Sequence, residues 1–359
     1  MRRSLNELRI QKAVPVWGSG LKNEWNQFLG FRTELDICDE QEATIAIAAR
    51  SYYRLYINGV MYGHGPARTA HKYARVDVYK LTVKGKVSVA VEVTAYNKPN
   101  GYANDITLEP GMLTAEVVIG GQALSATGWN GGYPWKYIEL RLRRPMVELL
   151  SHCRGIIEVY DLYPECFDWL TSSLDGMSKP IPLTENIPTY LIRRAPYPTY
   201  ARKSIDRLIR MGDIVAGDAK PSQSVKKLQT VMKLVNSDWY SMIGESIAEK
   251  ISTERESLFT GELHGVDEWI VKPGKSDAYL LWDLGKSEVG FVELEVETDE
   301  DIVLDILHDD VLNPDGSLNK ANSLVRYNLQ KYFRTISCSL PENYSQRFRK
   351  RKTEQYCSS

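Results

Sequence analysis

Apolar and polar residues alternate with a period of two through much of the chain, the pattern of strands that bury one face. TIAIAAR (residues 44–50) and YYRLYI (52–57) are strand-like, and the Asn58-Gly59 pair that follows is a strong signal for a type I′ hairpin. Gly63, Gly65 and Pro66 then end the return strand. VSVAVEVTAYN places Val87, Val89, Val91 and Val93 on one face, and LTAEVVIGGQALSATG reads as strand, Gly-Gly turn, strand. Short strands with turn signals at this spacing predict an antiparallel sandwich.

The middle of the chain breaks the pattern. Prolines 164, 180, 182, 188, 196 and 198 exclude central strands and helix interiors, so this stretch reads as a wrapping connector. Residues 204–211 suit a short helix, and 225–250 carry some helical spacing that Asn236-Ser237-Asp238 interrupts. Alternation returns in AYLLWDLG (278–285), in VGFVELEVET, and in IVLDILHDDVL (302–312), which ends in the turn Asn313-Pro314-Asp315-Gly316. Glu293, Glu295 and Glu297 share one face there, read as solvated rather than as a cation site.

Composition narrows the classes. The 359 residues, 43% hydrophobic and 25% charged, suit a globular protein of two or three domains. A formal net charge of -1 gives no footprint for nucleic acid or an anionic membrane. No apolar run approaches a transmembrane span, and the start lacks the apolar core of a signal peptide, so the expected location is the cytoplasm. Five scattered cysteines without C-x-x-C spacing are read as reduced thiols, with no metal and no cofactor expected.

Candidate chemistry is sparse. His64 and His71 flank Arg68 in GHGPARTAH, a spacing that suits an acid/base or metal pair, but no third ligand is close and the glycines favour a hairpin loop. His308 with Asp309-Asp310 suggests a dyad, yet adjacent strand residues point to opposite faces. Trp129, Asn130, Tyr133 and Trp135 in GWNGGYPWKY are the candidate carbohydrate-binding residues: aromatic faces suit sugar C–H groups and Asn130 suits hydroxyls, although tryptophans in sandwiches also build cores. No catalytic residue is assigned.

Residues 282–318, WDLGKSEVGFVELEVETDEDIVLDILHDDVLNPDGSL, resemble the β-sandwich that precedes the catalytic barrel in bacterial α-L-rhamnosidases of the glycoside hydrolase family 78 type. The positions that carry the resemblance are Asp283, Gly285, Gly290, Asp309, Asp310, Leu312, Asp315 and Gly316; the family usually has Glu where Asp310 stands. The tyrosine-rich strand into Asn58-Gly59, FRTELD (31–36) and LIRRAPYPTY (191–200) are similar to the family's N-terminal sandwich and link, so the resemblance runs from about Trp17 to Tyr327. It implies a parent enzyme that removes terminal α-L-rhamnose with inversion. Such chemistry needs two carboxyl groups roughly 6.5–9.5 Å apart. The resemblance places both on an (α/α)6 barrel that is missing from this sequence, so no activity is expected of the chain alone.

From Lys331 onward seven basic residues face two acidic ones, a net of +5, whereas the rest carries 38 basic and 44 acidic, a net of −6. This change of character is read as a shifted reading frame in a truncated product, with a basic tail as the other reading. The expected fold is mainly β: two antiparallel β-sandwich domains, jelly-roll or galactose-binding-like, joined by an irregular connector with short helices. The expected boundaries are a lead-in over 1–30, a first sandwich over 31–150, a connector over 151–264, the start of a second sandwich over 265–328 and the tail over 329–359. The expected function is the non-catalytic part of an α-L-rhamnosidase-like hydrolase, whose partner is carbohydrate reached through the parent. The alternative is a standalone, lectin-like carbohydrate-binding protein.

Overall fold

The structure, a computed structural model, describes residues 10–21, 24, 26–96, 109–145, 158–201, 206–215, 250–254, 278–286, 290–294, 296, 298, 300–308, 312, 324–332 and 336–337. Strands dominate, and no α-helix occurs among the described residues. The chain forms two units, 1–99 with 104–141 and 167–196, and 100–103 with 142–166 and 197–359.

The first unit is built on β1 (Val16–Trp17), β2 (Gln27–Arg50), β3 (Tyr52–Ile57), β4 (Val60–Gly65), β5 (Tyr73–Ala95), β6 (Met112–Ile119), β7 (Gln122–Ala126) and β8 (Lys136–Glu139). After β9 (Glu158–Leu162), which belongs to the second unit, β10 (Ile181–Pro182) and β11 (Thr189–Ile192) return to the first. β2 and β5 are long antiparallel partners with a register shift between Ile37 and Gln41. Their two halves have different neighbours: Leu29–Arg32 of β2 pairs with β8, while Ala43–Arg50 pairs with β6. Phe31, Leu35 and Ile37 from one half share a core with Ile45 and Ile47 from the other, which makes the two halves opposed layers of a sandwich.

The valine row Val87, Val89, Val91 and Val93 lies in that core, each side chain contributing roughly 1.5–3 kcal/mol by leaving water. TIAIAAR is a central strand buried on both faces. Ile45 and Ile47 point into the main core, while Ala46 and Ala48 pack with Ala74, Val76 and Met112 under Leu183 and Tyr190. Leu183 and Tyr190 come from the proline-rich stretch, where β10 pairs with β1 and β11 runs parallel to β5. A 3-10 turn, Asp168–Leu170, covers the outer side of the other layer. There Trp169 lies against Gly30, and the fully buried Arg32 donates from Nη1 to Trp169 O at 2.7 Å and from Nη2 to Ser172 O.

In the second unit, β12 (Arg207–Val215) pairs antiparallel with β13 (Lys250–Glu254) and β14 (Ala278–Asp283). The expected helix over 204–211 is therefore corrected: residues 207–211 are strand, because β14 runs alongside them and supplies the pairing that a short isolated helix lacks, while β13 pairs further on, from Gly212. β15 (Glu293–Leu294) pairs with β18 (Ile336–Ser337), and β16 (Ile302–Leu307) pairs with β17 (Leu324–Leu329), which runs parallel to β9. Tyr160 and Tyr327 stack at 5.1 Å, and Arg143 lies over Tyr160 while pairing with Glu158 at 3.1 Å. The helical spacing over 225–249, Asp309-Asp310, the Glu293/Glu295/Glu297 side chains and the tail from 338 lie outside the described residues.

Candidate functional site

Chemistry-bearing residues concentrate on the β3–β4 hairpin and its neighbour β5. Asn58 and Gly59 take φ of 50° and 78°, the left-handed pair that a type I′ turn requires, and Asn58 Oδ1 accepts from Ser88 N–H at 2.8 Å. On one face the fully buried Asp77 accepts from Tyr53 Oη at 2.5 Å and from Arg193 Nη1 at 3.3 Å, and Tyr53 Oη lies 2.9 Å from Tyr79 Oη. The glycines around His64 make room for this network. A Cβ on Gly63 would stand 2.5 Å from the Tyr79 ring, and one on Gly65 would stand 2.0 Å from Asp77 Oδ2.

Burial pushes the Asp77 carboxyl above the usual carboxylate range, against the pull of Tyr53 and Arg193. Burial also raises the Tyr53 phenol well above its ordinary value, helped by Tyr79 and Asp77. On the opposite face Glu92, Arg54 and His64 form a row across β5, β3 and β4. Arg54 Nη1 donates to both Glu92 oxygens at 3.0 and 3.1 Å, and Tyr56 Oη donates to Glu92 at 2.9 Å. Burial, with Arg54 and Arg193 nearby, lowers the His64 imidazole to about 4, so it is neutral at pH 7. Asp77 and Glu92 are thus each committed to protein partners, an arrangement that holds a hairpin in place rather than one that presents an acid and a base.

The glycine-rich loop after β7 distributes the four candidate sugar residues unevenly. Trp129 is half-buried, its ring folded back over Gly131 and Gly132, where a Cβ would meet it at 2.4 and 2.6 Å. Asn130 is exposed and accepts from Lys179 Nζ at 2.8 Å. Tyr133 is half-buried and donates from Oη to Asp36 O at 3.1 Å, while its carbonyl accepts from Ser125 Oγ at 2.8 Å. Trp135 is 3% exposed, in the core cluster with Trp17, Phe31 and Tyr137, and its indole N–H has no hydrogen-bond partner among the described residues. Trp129 and Asn130 therefore reach the surface, Tyr133 does so in part, and Trp135 does not.

His71 has different neighbours from His64: it is exposed, with Nε2 3.9 Å from Glu109 Oε1. No group of three or more His, Cys, Asp or Glu among the described residues is placed to hold a metal ion. Among the described residues no helix is long and apolar enough to cross a membrane. Cys38 is exposed and Cys166 is buried. The Asp77 network was not singled out from the sequence. Its one local signal is the alternation Arg75-Asp77-Tyr79, which sets a carboxylate on the same face as a core tyrosine.

No family model matches the sequence. No curated protein matches it either. Solved structures do share the fold. A GH78 family rhamnosidase of Bacillus sp. GL1 superposes with a TM-score of 0.51 at 23% identity, covering 58% of this chain and 23% of that one. The native α-L-rhamnosidase of Aspergillus terreus superposes with a TM-score of 0.53 at 14% identity, covering 91% of this chain and 32% of that one. The chain thus spans about a quarter to a third of the length of these structures. At such identities the likeness is one of fold.

Proposed function

We propose that this chain is the non-catalytic β-sandwich portion of an α-L-rhamnosidase-like glycoside hydrolase whose intact parent removes terminal α-L-rhamnose with inversion. The observation that carries this reading is the fold shared along most of the chain with a minor part of a much longer rhamnosidase. The internal pairing of Asp77 and Glu92 supports it, because an inverting site needs one carboxyl free to protonate the leaving oxygen and another free to activate water. In this reading both belong to the parent's barrel, and the sandwiches brace it. Purified chain incubated with p-nitrophenyl α-L-rhamnoside should release p-nitrophenol no faster than buffer does. Turnover that scales with chain concentration and survives repurification would sink the proposal.

A second reading, direct carbohydrate binding by the sandwich itself, draws on the half-buried Trp129 indole beside the exposed Asn130 amide. Tyr133 and Trp135 would then fix the loop, with Tyr133 offering part of its ring. Glycan-array binding that is lost in Trp129→Ala would favour it, and an array silent toward the wild-type chain would dismiss it.

A further inference from the structure

Arg193 stands three residues before Pro196, where the chain leaves the first unit. Its guanidinium ties three points together. Nη1 donates to Asp77 Oδ1 at 3.3 Å, Nε to Ala195 O at 3.0 Å and Nη2 to Pro196 O at 2.9 Å. The segment ahead of it lies parallel to β5, with Thr189 N–H donating to Lys72 O at 2.9 Å and Arg193 N–H to Val76 O at 3.0 Å. Residues 194–196 are exposed, whereas Asp77 is fully buried. One side chain therefore reaches from a solvent-side strap to an interior carboxylate.

We propose that Arg193 and Asp77 form an acid-released latch that holds the strap 189–196 against β5. The groups around it set the direction. Arg193 lowers the proton affinity of Asp77 and also that of His64. Coupling between two sites is reciprocal, so a proton on either group weakens the hold of Arg193 by the same factor. Tyr53 and Tyr79 keep the Asp77 carboxyl enclosed when the guanidinium leaves, so its burial, and hence its raised proton affinity, persists in the open state. Arg54 is matched by Glu92 on β5. Arg75, whose Nη1 donates to Ile192 O at 3.0 Å, is a cation like Arg193 and offers it no counter-charge. Tyr190, on the strap itself, remains bonded to Thr114 at 2.7 Å, which confines release to the end of the strap nearest Pro196.

The test is amide hydrogen exchange at pH 7 and pH 4, corrected for intrinsic rates, on peptides that contain Arg193. Protection of the Arg193 amide should fall at least about tenfold at pH 4, while Phe31 and Val91 in the core stay protected. Asp77→Asn and Arg193→Gln should each show the low protection already at pH 7, with no further fall in acid. Unchanged wild-type protection at pH 4 would overturn the proposal, as would loss that spreads through β2 and β5 together. Should Asp77→Asn fail to fold, Arg193→Gln decides alone: protection equal to wild type at pH 7 rejects the latch.

Discussion

Replacing Gly65 with alanine asks whether the glycines around His64 serve a site or a packing arrangement. The added Cβ would start 2.0 Å from Asp77 Oδ2 and 2.8 Å from the Tyr53 ring, where real Cβ atoms keep beyond 3.0 Å. Asp77 must therefore retreat by about an ångström, which breaks its bond to Tyr53 and disturbs the Tyr53–Tyr79 contact. Overpacking of this kind costs roughly 1–3 kcal/mol. Loss of a buried hydrogen bond to a charged group adds about 1.5–3 kcal/mol. The stiffer unfolded chain returns about 0.4–1 kcal/mol. The net is a destabilisation of about 3 kcal/mol, or a fall of about 1–2 M in the urea midpoint at an ordinary m-value. Gly120→Ala is the matched control: its φ of 58° strains alanine by about 1 kcal/mol, but open space surrounds it. Urea unfolding of both variants beside the wild type measures the difference. A Gly65→Ala chain no less stable than Gly120→Ala would refute the packing argument.

Two further outcomes follow from the same hairpin. His64 is held at about 4 against an ordinary 6.5, so the unfolded chain binds the proton more readily; stability should fall by about 2 kcal/mol as pH drops from 6.5 towards 4 and stay flat above, and His64→Gln should remove that slope from a series of urea midpoints. Asn58→Ala should cost about 1–2 kcal/mol in thermal or urea unfolding through its left-handed φ and its lost bond to Ser88, while Asn58→Gly should recover the backbone part but not the hydrogen bond.

Much of the first sandwich was legible because its signals are local. The alternation of Val87 to Val93, the Asn58-Gly59 turn and the Gly120-Gly121 turn each depend on a few adjacent residues, and each has its counterpart in the fold. The continuity of β2 was less visible. FRTELD and TIAIAAR read as separate strands because CDEQE between them is polar, yet the chain passes through it by a register shift without leaving the sheet. Arg32 and Asp77 were hidden for another reason. Beyond their nearer partners Glu34 and Tyr53, they depend on Trp169, Ser172 and Arg193, which lie 116 to 140 positions away, beyond the reach of any periodicity. The strand over 207–215 was missed because its pairing partners, not its own composition, decide its state. At the candidate sugar loop the residue types were readable but their exposure was not. Trp129 and Trp135 are chemically alike, and only packing sends one to the surface and the other into the core.

Residues 142–166 belong to the second unit, yet 167–196 return to complete the first. This interleaving sets an order of assembly. As the chain is made from its N-terminus, β2 and β5 can pair early, but Arg32 waits for the carbonyls of Trp169 and Ser172, and Asp77 waits for Arg193. Until those residues emerge, two interior charges have only part of their final company, and the first sandwich stays an unfinished intermediate for which early termination is costly. For the same reason no single cut in the chain yields the first unit: a fragment that stops before Pro196 forfeits its own closing strap.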